Sequence, residues 1–142
     1  MMALNNRKQS IKFSFKIRME YRLPFTYLRE LSKVDPVYQG RAISWQTIFE
    51  FGCMTMEGLY PKGYTIIPIP SEDYHKRTYN NTNIFTGTIL EDMKGWERRL
   101  NLRQAELMEF FAWLYFMVHM NDEQKAFFNI DRLAFEIRPQ EG

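Results

Sequence analysis

Residues 11–23 alternate without a break. Ile11, Phe13, Phe15, Ile17, Met19, Tyr21 and Leu23 are apolar, and Lys12, Ser14, Lys16, Arg18, Glu20 and Arg22 between them are polar. A period of two over thirteen residues predicts a β-strand with one face buried and one face in water. Four of the six residues on the wet face are basic. A two-faced strand is not stable without neighbours, and the segment that follows reads as a helix, so the chain offers no strand next to it. Two copies of the chain would meet the requirement by pairing their strands antiparallel about a two-fold axis. The resulting ribbon has an aromatic face seated on helices and a basic face turned outward.

Pro24 closes the strand and suits the first turn of a helix, where a missing N–H is harmless. Phe25, Tyr27, Leu28 and Leu31 then repeat at helical spacing, which predicts a short amphipathic helix over 24–33. Asp35-Pro36 and Gly40 mark a loop. Ser44 is placed to cap a second helix, with Ile43 and Ile48 as the two halves of a hydrophobic staple. That helix carries Phe49, Phe51, Met54 and Met56 and ends by Gly58 and Pro61.

Beyond residue 60 the signals are mixed. Residues 64–69 are β-prone, although Pro68 and Pro70 confine them to an edge. Residues 71–85, with the run Asn80-Asn81-Thr82-Asn83, read as a loop. Residues 88–100 and 102–120 read as helices, the second apolar on all sides from Phe110 to Val118, as expected of core or of an interface. Residues 133–138 alternate again and fit a closing strand. The predicted class is therefore α+β: an arm over 1–10 with Arg7 and Lys8, a strand–helix–helix core over 11–60, and a mainly helical extension over 61–142.

Charge and composition bear on function. Residues 1–45 hold nine Lys/Arg against three Asp/Glu, a balance of +6, and the remainder holds ten against fourteen, a balance of −4. A basic first third on an acidic body points to a polyanionic partner. The single cysteine, Cys53, excludes a disulfide framework. The nine-residue apolar run is too short for a bilayer, and the chain opens without a secretory leader, so a cytoplasmic protein is expected. Enzyme signatures are missing: no Gly-rich phosphate loop, no nucleophile elbow, no His-Glu-x-x-His. His75, His119 and Cys53 lack ligand spacing, and the pairs Glu91/Asp92 and Glu106/Glu109 fit solvated helix faces. No catalytic residue, metal or cofactor is expected.

Arg22-Leu23-Pro24, the spaced Leu28 and Leu31, and Gly40-Arg41-Ala42-Ile43-Ser44 resemble the ribbon–helix–helix repressors of the MetJ/Arc/CopG type over about residues 11–60. The resemblance implies a homodimer with an intermolecular two-stranded antiparallel ribbon lying in the major groove of double-stranded DNA. It implies base contacts from Lys16, Arg18, Glu20 and Arg22, with Lys12 and Ser14 continuing the same face. Phosphate contacts would come from Arg41, Ser44, Trp45 and Gln46 at the start of the second helix. The function implied is a sequence-specific transcriptional regulator, activator or repressor. A long member with an added C-terminal part is similar to plasmid conjugation activators, and the extension would then add dimer surface, higher assembly on DNA or contact with RNA polymerase. The alternative from a different class is a small phage or plasmid accessory protein that binds and inhibits another protein.

Overall fold

The first described strand stops at Ile17, and a helix begins two residues later. The structure is a computed structural model that describes residues 10–59, 64–68, 79–86 and 88–139. In chain order the elements are β1 (Ser10–Ile17), α1 (Met19–Val34), a 3-10 turn (Pro36–Tyr38), α2 (Trp45–Leu59), β2 (Tyr64–Pro68) and β3 (Tyr79–Thr86). They continue with α3 (Ile89–Leu100), α4 (Gln104–His119), α5 (Asp122–Phe127), a second 3-10 turn (Ile130–Leu133) and β4 (Phe135–Pro139). The predicted α+β class holds: helices predominate, and the strands form two antiparallel pairs, β1 with β3 and β2 with β4.

Two expectations for the N-terminal part need correction. The strand is eight residues long, not thirteen, because residues 19–34 satisfy a stronger helical pattern. Tyr21, Phe25, Leu28 and Ser32 recur at i, i+4, i+7 and i+11 and are all buried. On a strand Tyr21 and Leu23 would share a face, yet Tyr21 is buried and Leu23 is 51% exposed. Pro24 accordingly lies inside α1 rather than at its start, where it removes the donor for the Glu20 carbonyl. Second, β1 does have a neighbour within its own chain. β3 pairs with it along its whole length, from Ser10 opposite Thr86 to Ile17 opposite Tyr79, so residues 79–85 are strand where a loop was expected.

Later elements follow the sequence pattern closely. The Ser44 hydroxyl accepts from the Thr47 amide at 3.2 Å and the Thr47 hydroxyl accepts from the Ser44 amide at 3.1 Å, a reciprocal cap on α2. β4 forms where alternation resumes and pairs with the β-prone segment β2, Ile66 opposite Ile137. The helix α5, which the sequence pattern did not reveal, is held by a matched pair at its start. Asn121 Oδ1 accepts from the Gln124 amide at 2.8 Å, and Gln124 Oε1 accepts from the Asn121 amide at 2.9 Å.

The core is organised around α4. This helix packs against α1, α2, α3 and β1, and its residues Leu107, Met108, Phe110, Phe111, Ala112, Leu114, Tyr115 and Phe116 are buried. Its approach to α2 is so close that a Cβ on Gly52 would overlap the Phe111 ring. Trp45 is the other junction: its ring stacks on Phe25 at 4.2 Å and meets Phe15 edge-on at 5.3 Å, joining β1, α1 and α2. Tyr21 donates to the Leu133 carbonyl at 3.1 Å, tying α1 to the C-terminal part. The hydrophobic core is one continuous cluster from Phe15 to Phe135. The expected division near residue 60 does not run through it, because the inner faces of β1, α1 and α2 are completed by α4.

A fragment ending at Gly63 would lose Phe111 from against Phe49, the Leu133 carbonyl that Tyr21 donates to, and the α4 cover of β1, and each large apolar side chain so exposed is worth roughly 1.5–3 kcal/mol when fully buried. The fragment is therefore expected to lack a cooperative unfolding transition, measured by circular dichroism against urea, while the full chain shows one.

Candidate nucleic-acid interface

Alternation along β1 sorts its side chains cleanly. Phe15 and Ile17 are buried, and Lys12, Ser14 and Lys16 are exposed. These three outward residues occupy every second position, so the two ammonium groups are anchored about 13 Å apart along the strand. Register places Ile84, Thr82 and Asn80 of β3 opposite Lys12, Ser14 and Lys16. Among the described residues the sheet has two strands only. A two-stranded ribbon of this kind is narrow enough for the roughly 12 Å major groove of B-DNA.

The remaining residues predicted for base contact do not extend this row. Arg18 stands between β1 and α1, and both of its donors turn inward to one acceptor. Its amide donates to Glu109 Oε2 at 2.9 Å and its Nη1 to Glu109 Oε1 at 3.1 Å. Glu109 is 0% exposed, in the middle of α4. Glu20 is buried on α1, with its carboxylate 3.9 Å from Arg132. Arg22 is half-buried on the same helix. The helical turn of α1 points these three residues in different directions, so the strand face ends at Lys16.

The residues predicted for phosphate contact gather around the start of α2, with differing exposure. Arg41 and Ser44 are exposed and Gln46 is half-buried. The Trp45 indole is in the core, as described above, which leaves only its backbone for such a role. The N-terminal arm, with Arg7 and Lys8, and His75 lie outside the described residues.

Sequence reasoning missed Glu109. Paired with Glu106 at a spacing of three, it resembled half of a solvated face. In the structure Glu106 turns back to the first turn of α4, accepting from the Arg103 amide at 3.0 Å, while Glu109 goes inside. The only available signal was its position between Met108 and Phe110 in an otherwise apolar run.

Cys53 and His119 have structural surroundings. His119 stacks on Tyr115 at 3.9 Å and lies edge-on to Phe51 at 5.1 Å. Burial and the neighbouring Tyr38 push the Tyr115 phenol well above the usual range. Cys53 borders an open groove of about 400 Å³ between α2 and the start of α3, with Glu50, Glu57 and Asp92 also on its walls. Burial, then the Asp92, Glu57 and Glu50 carboxylates, push its thiol up to about 12. Among the described residues no group of His, Cys, Asp and Glu is arranged to hold a metal ion, and no helix is long and apolar enough to cross a membrane.

Arg18→Ala removes the guanidinium that pairs with the buried Glu109 carboxylate while keeping the backbone amide bond, so it is expected to cost up to about 3–5 kcal/mol in chemical denaturation. Lys16→Ala, two residues away but exposed, is expected to stay within about 0.5 kcal/mol of the parent. A Cys53 thiol at about 12 has a thiolate fraction about 1000-fold lower than an ordinary one near neutral pH. Higher intrinsic nucleophilicity recovers part of that, so alkylation at pH 8 is expected to be about 30-fold slower than for an unhindered thiol. Timed iodoacetamide labelling read by mass spectrometry checks it.

No protein-family model matches the chain, and neither a curated protein nor a solved structure is found similar to it.

Proposed function

We propose that this chain is a DNA-binding transcriptional regulator that lays the β1–β3 ribbon in the major groove. The observation that carries the reading is the row Lys12, Ser14 and Lys16, outward and exposed on a two-stranded ribbon whose other face is packed against α4. Lysines on such a row reach phosphate oxygens or guanine acceptors, and a serine hydroxyl serves either as donor or acceptor to a base edge.

The order β1, α1, α2 is also that of a ribbon–helix–helix core, with two differences. The second strand comes from β3 of the same chain, and the reading positions are Lys12, Ser14 and Lys16 in place of Arg18, Glu20 and Arg22. Arg41 and Ser44, exposed just before α2, are suited to a flanking phosphate. The ribbon is complete in one chain, so this mode of binding does not itself require a second copy.

The double variant K12A/K16A tests the reading. Binding of the full chain to labelled duplex DNA from its own promoter region, followed by anisotropy at several salt concentrations, is expected to weaken at least ~10-fold. The slope of log affinity against log salt is expected to fall in magnitude by about 2, one for each lysine that no longer neutralises a phosphate. Unchanged binding in the variant, or no binding by the parent at low salt, would overturn it.

A further inference from the structure

The outer face of α1 is apolar. Leu23, Tyr27 and Leu31 stand on it four residues apart, all at least one-third exposed, and Val34 continues the row at 77% exposure. Phe127 of α5, at 81%, joins the row through Tyr27, because both line one groove of about 310 Å³ with Phe128. The Tyr27 and Phe128 rings touch at 5.3 Å, and the Tyr27 hydroxyl accepts from Gln124 Nε2 at 3.2 Å. The α1 stripe and α5 therefore make one continuous surface, on the opposite side of α1 from the core residues Tyr21, Phe25 and Leu28.

We propose that a second copy of this chain covers this surface, with the two α1 helices antiparallel about a two-fold axis at Tyr27. Two features select a copy of the chain over another partner. The spacing is self-complementary: a two-fold at Tyr27 sets Leu23 of one chain against Leu31 of the other, and the reverse, as an isologous contact requires. The area fits as well. Covering Leu23, Tyr27, Leu31, Val34 and Phe127 removes on the order of 600 Å² of surface per chain, against the roughly 800 Å² per partner of a standard interface. That is the upper end of what an ordinary monomer leaves exposed in one patch.

This association is independent of DNA binding and is measured without it. Sedimentation equilibrium of the full chain is expected to show a dimer whose dissociation constant rises at least ~100-fold in L23S/L31S. Both leucines are on the surface, so the circular dichroism spectrum should not change. A second measurement does not depend on how that variant folds. C53A/Y27C is expected to form a disulfide-linked dimer under mild oxidation, because the two-fold brings the two Tyr27 positions together, whereas C53A/M54C, exposed on α2, should stay monomeric. A parent chain that remains monomeric at on the order of 100 µM, or a dimer that L23S/L31S leaves intact and Y27C does not link, would overturn the proposal. The first of these results would assign the surface to a partner other than this chain.

Discussion

A carboxylate placed inside an apolar helix sets the terms for the rest of this fold. Glu109 sits in α4 between Met108 and Phe110 with no exposure to water, and stripping an ionised carboxylate of water costs several kcal/mol unless its oxygens are met. Arg18 meets both oxygens, one from its backbone amide and one from its guanidinium. Because one bond comes from the main chain, the position of the backbone at residue 18 is fixed as well as the side chain. β1 ends there and α1 begins there. A junction between neighbouring elements is thus held by a residue 91 positions away, which is why the two parts of the chain share one core.

That dependence explains what was and was not legible in the sequence. Local signals are legible: the Ser44 cap, the extent of α2 and α3, the buried character of α4 and the closing strand β4 all rest on contacts between near neighbours or on a long apolar pattern. The boundary between β1 and α1 is not, because Met19, Tyr21 and Leu23 satisfy a period of two while Tyr21, Phe25, Leu28 and Ser32 satisfy one of 3.6. Packing against α4 decides in favour of the helix. β3 was invisible for another reason: Asn-rich runs have low β-propensity, and this one is a strand through its pairing with β1. Of the candidate site, Lys12, Ser14 and Lys16 were legible from alternation alone. The roles of Arg18 and Glu20 were not, since nothing nearby in sequence announces their buried partners.

The lopsided charge of the chain is likewise part structural. Of the nine cations in the first 45 residues, Arg18 serves the core. Arg29 lies over the Phe25 ring at 5.5 Å, and Lys33 pairs with Glu30 at 3.0 Å on the surface. The surplus that faces outward on the ribbon is carried by Lys12 and Lys16. Counting charge along a sequence therefore overstates the field available to a polyanion, and the placement of two lysines on one strand face says more than the balance of the whole segment.

The partner strand of β1 begins 62 residues after β1 ends, and the acceptor for Arg18 is farther still. On a ribosome adding roughly 5–20 residues per second, Glu109 is made about 5–20 seconds after Arg18. Until β3 is made, about two-thirds of the way through that interval, an aromatic-rich segment with an open edge has neither its neighbour strand nor its helix, the condition under which nascent strands pair wrongly. Closing so distant a pairing is slow. The features that join the finished ribbon within one chain thus leave the growing chain with an unpaired aromatic strand until its distant partners have emerged.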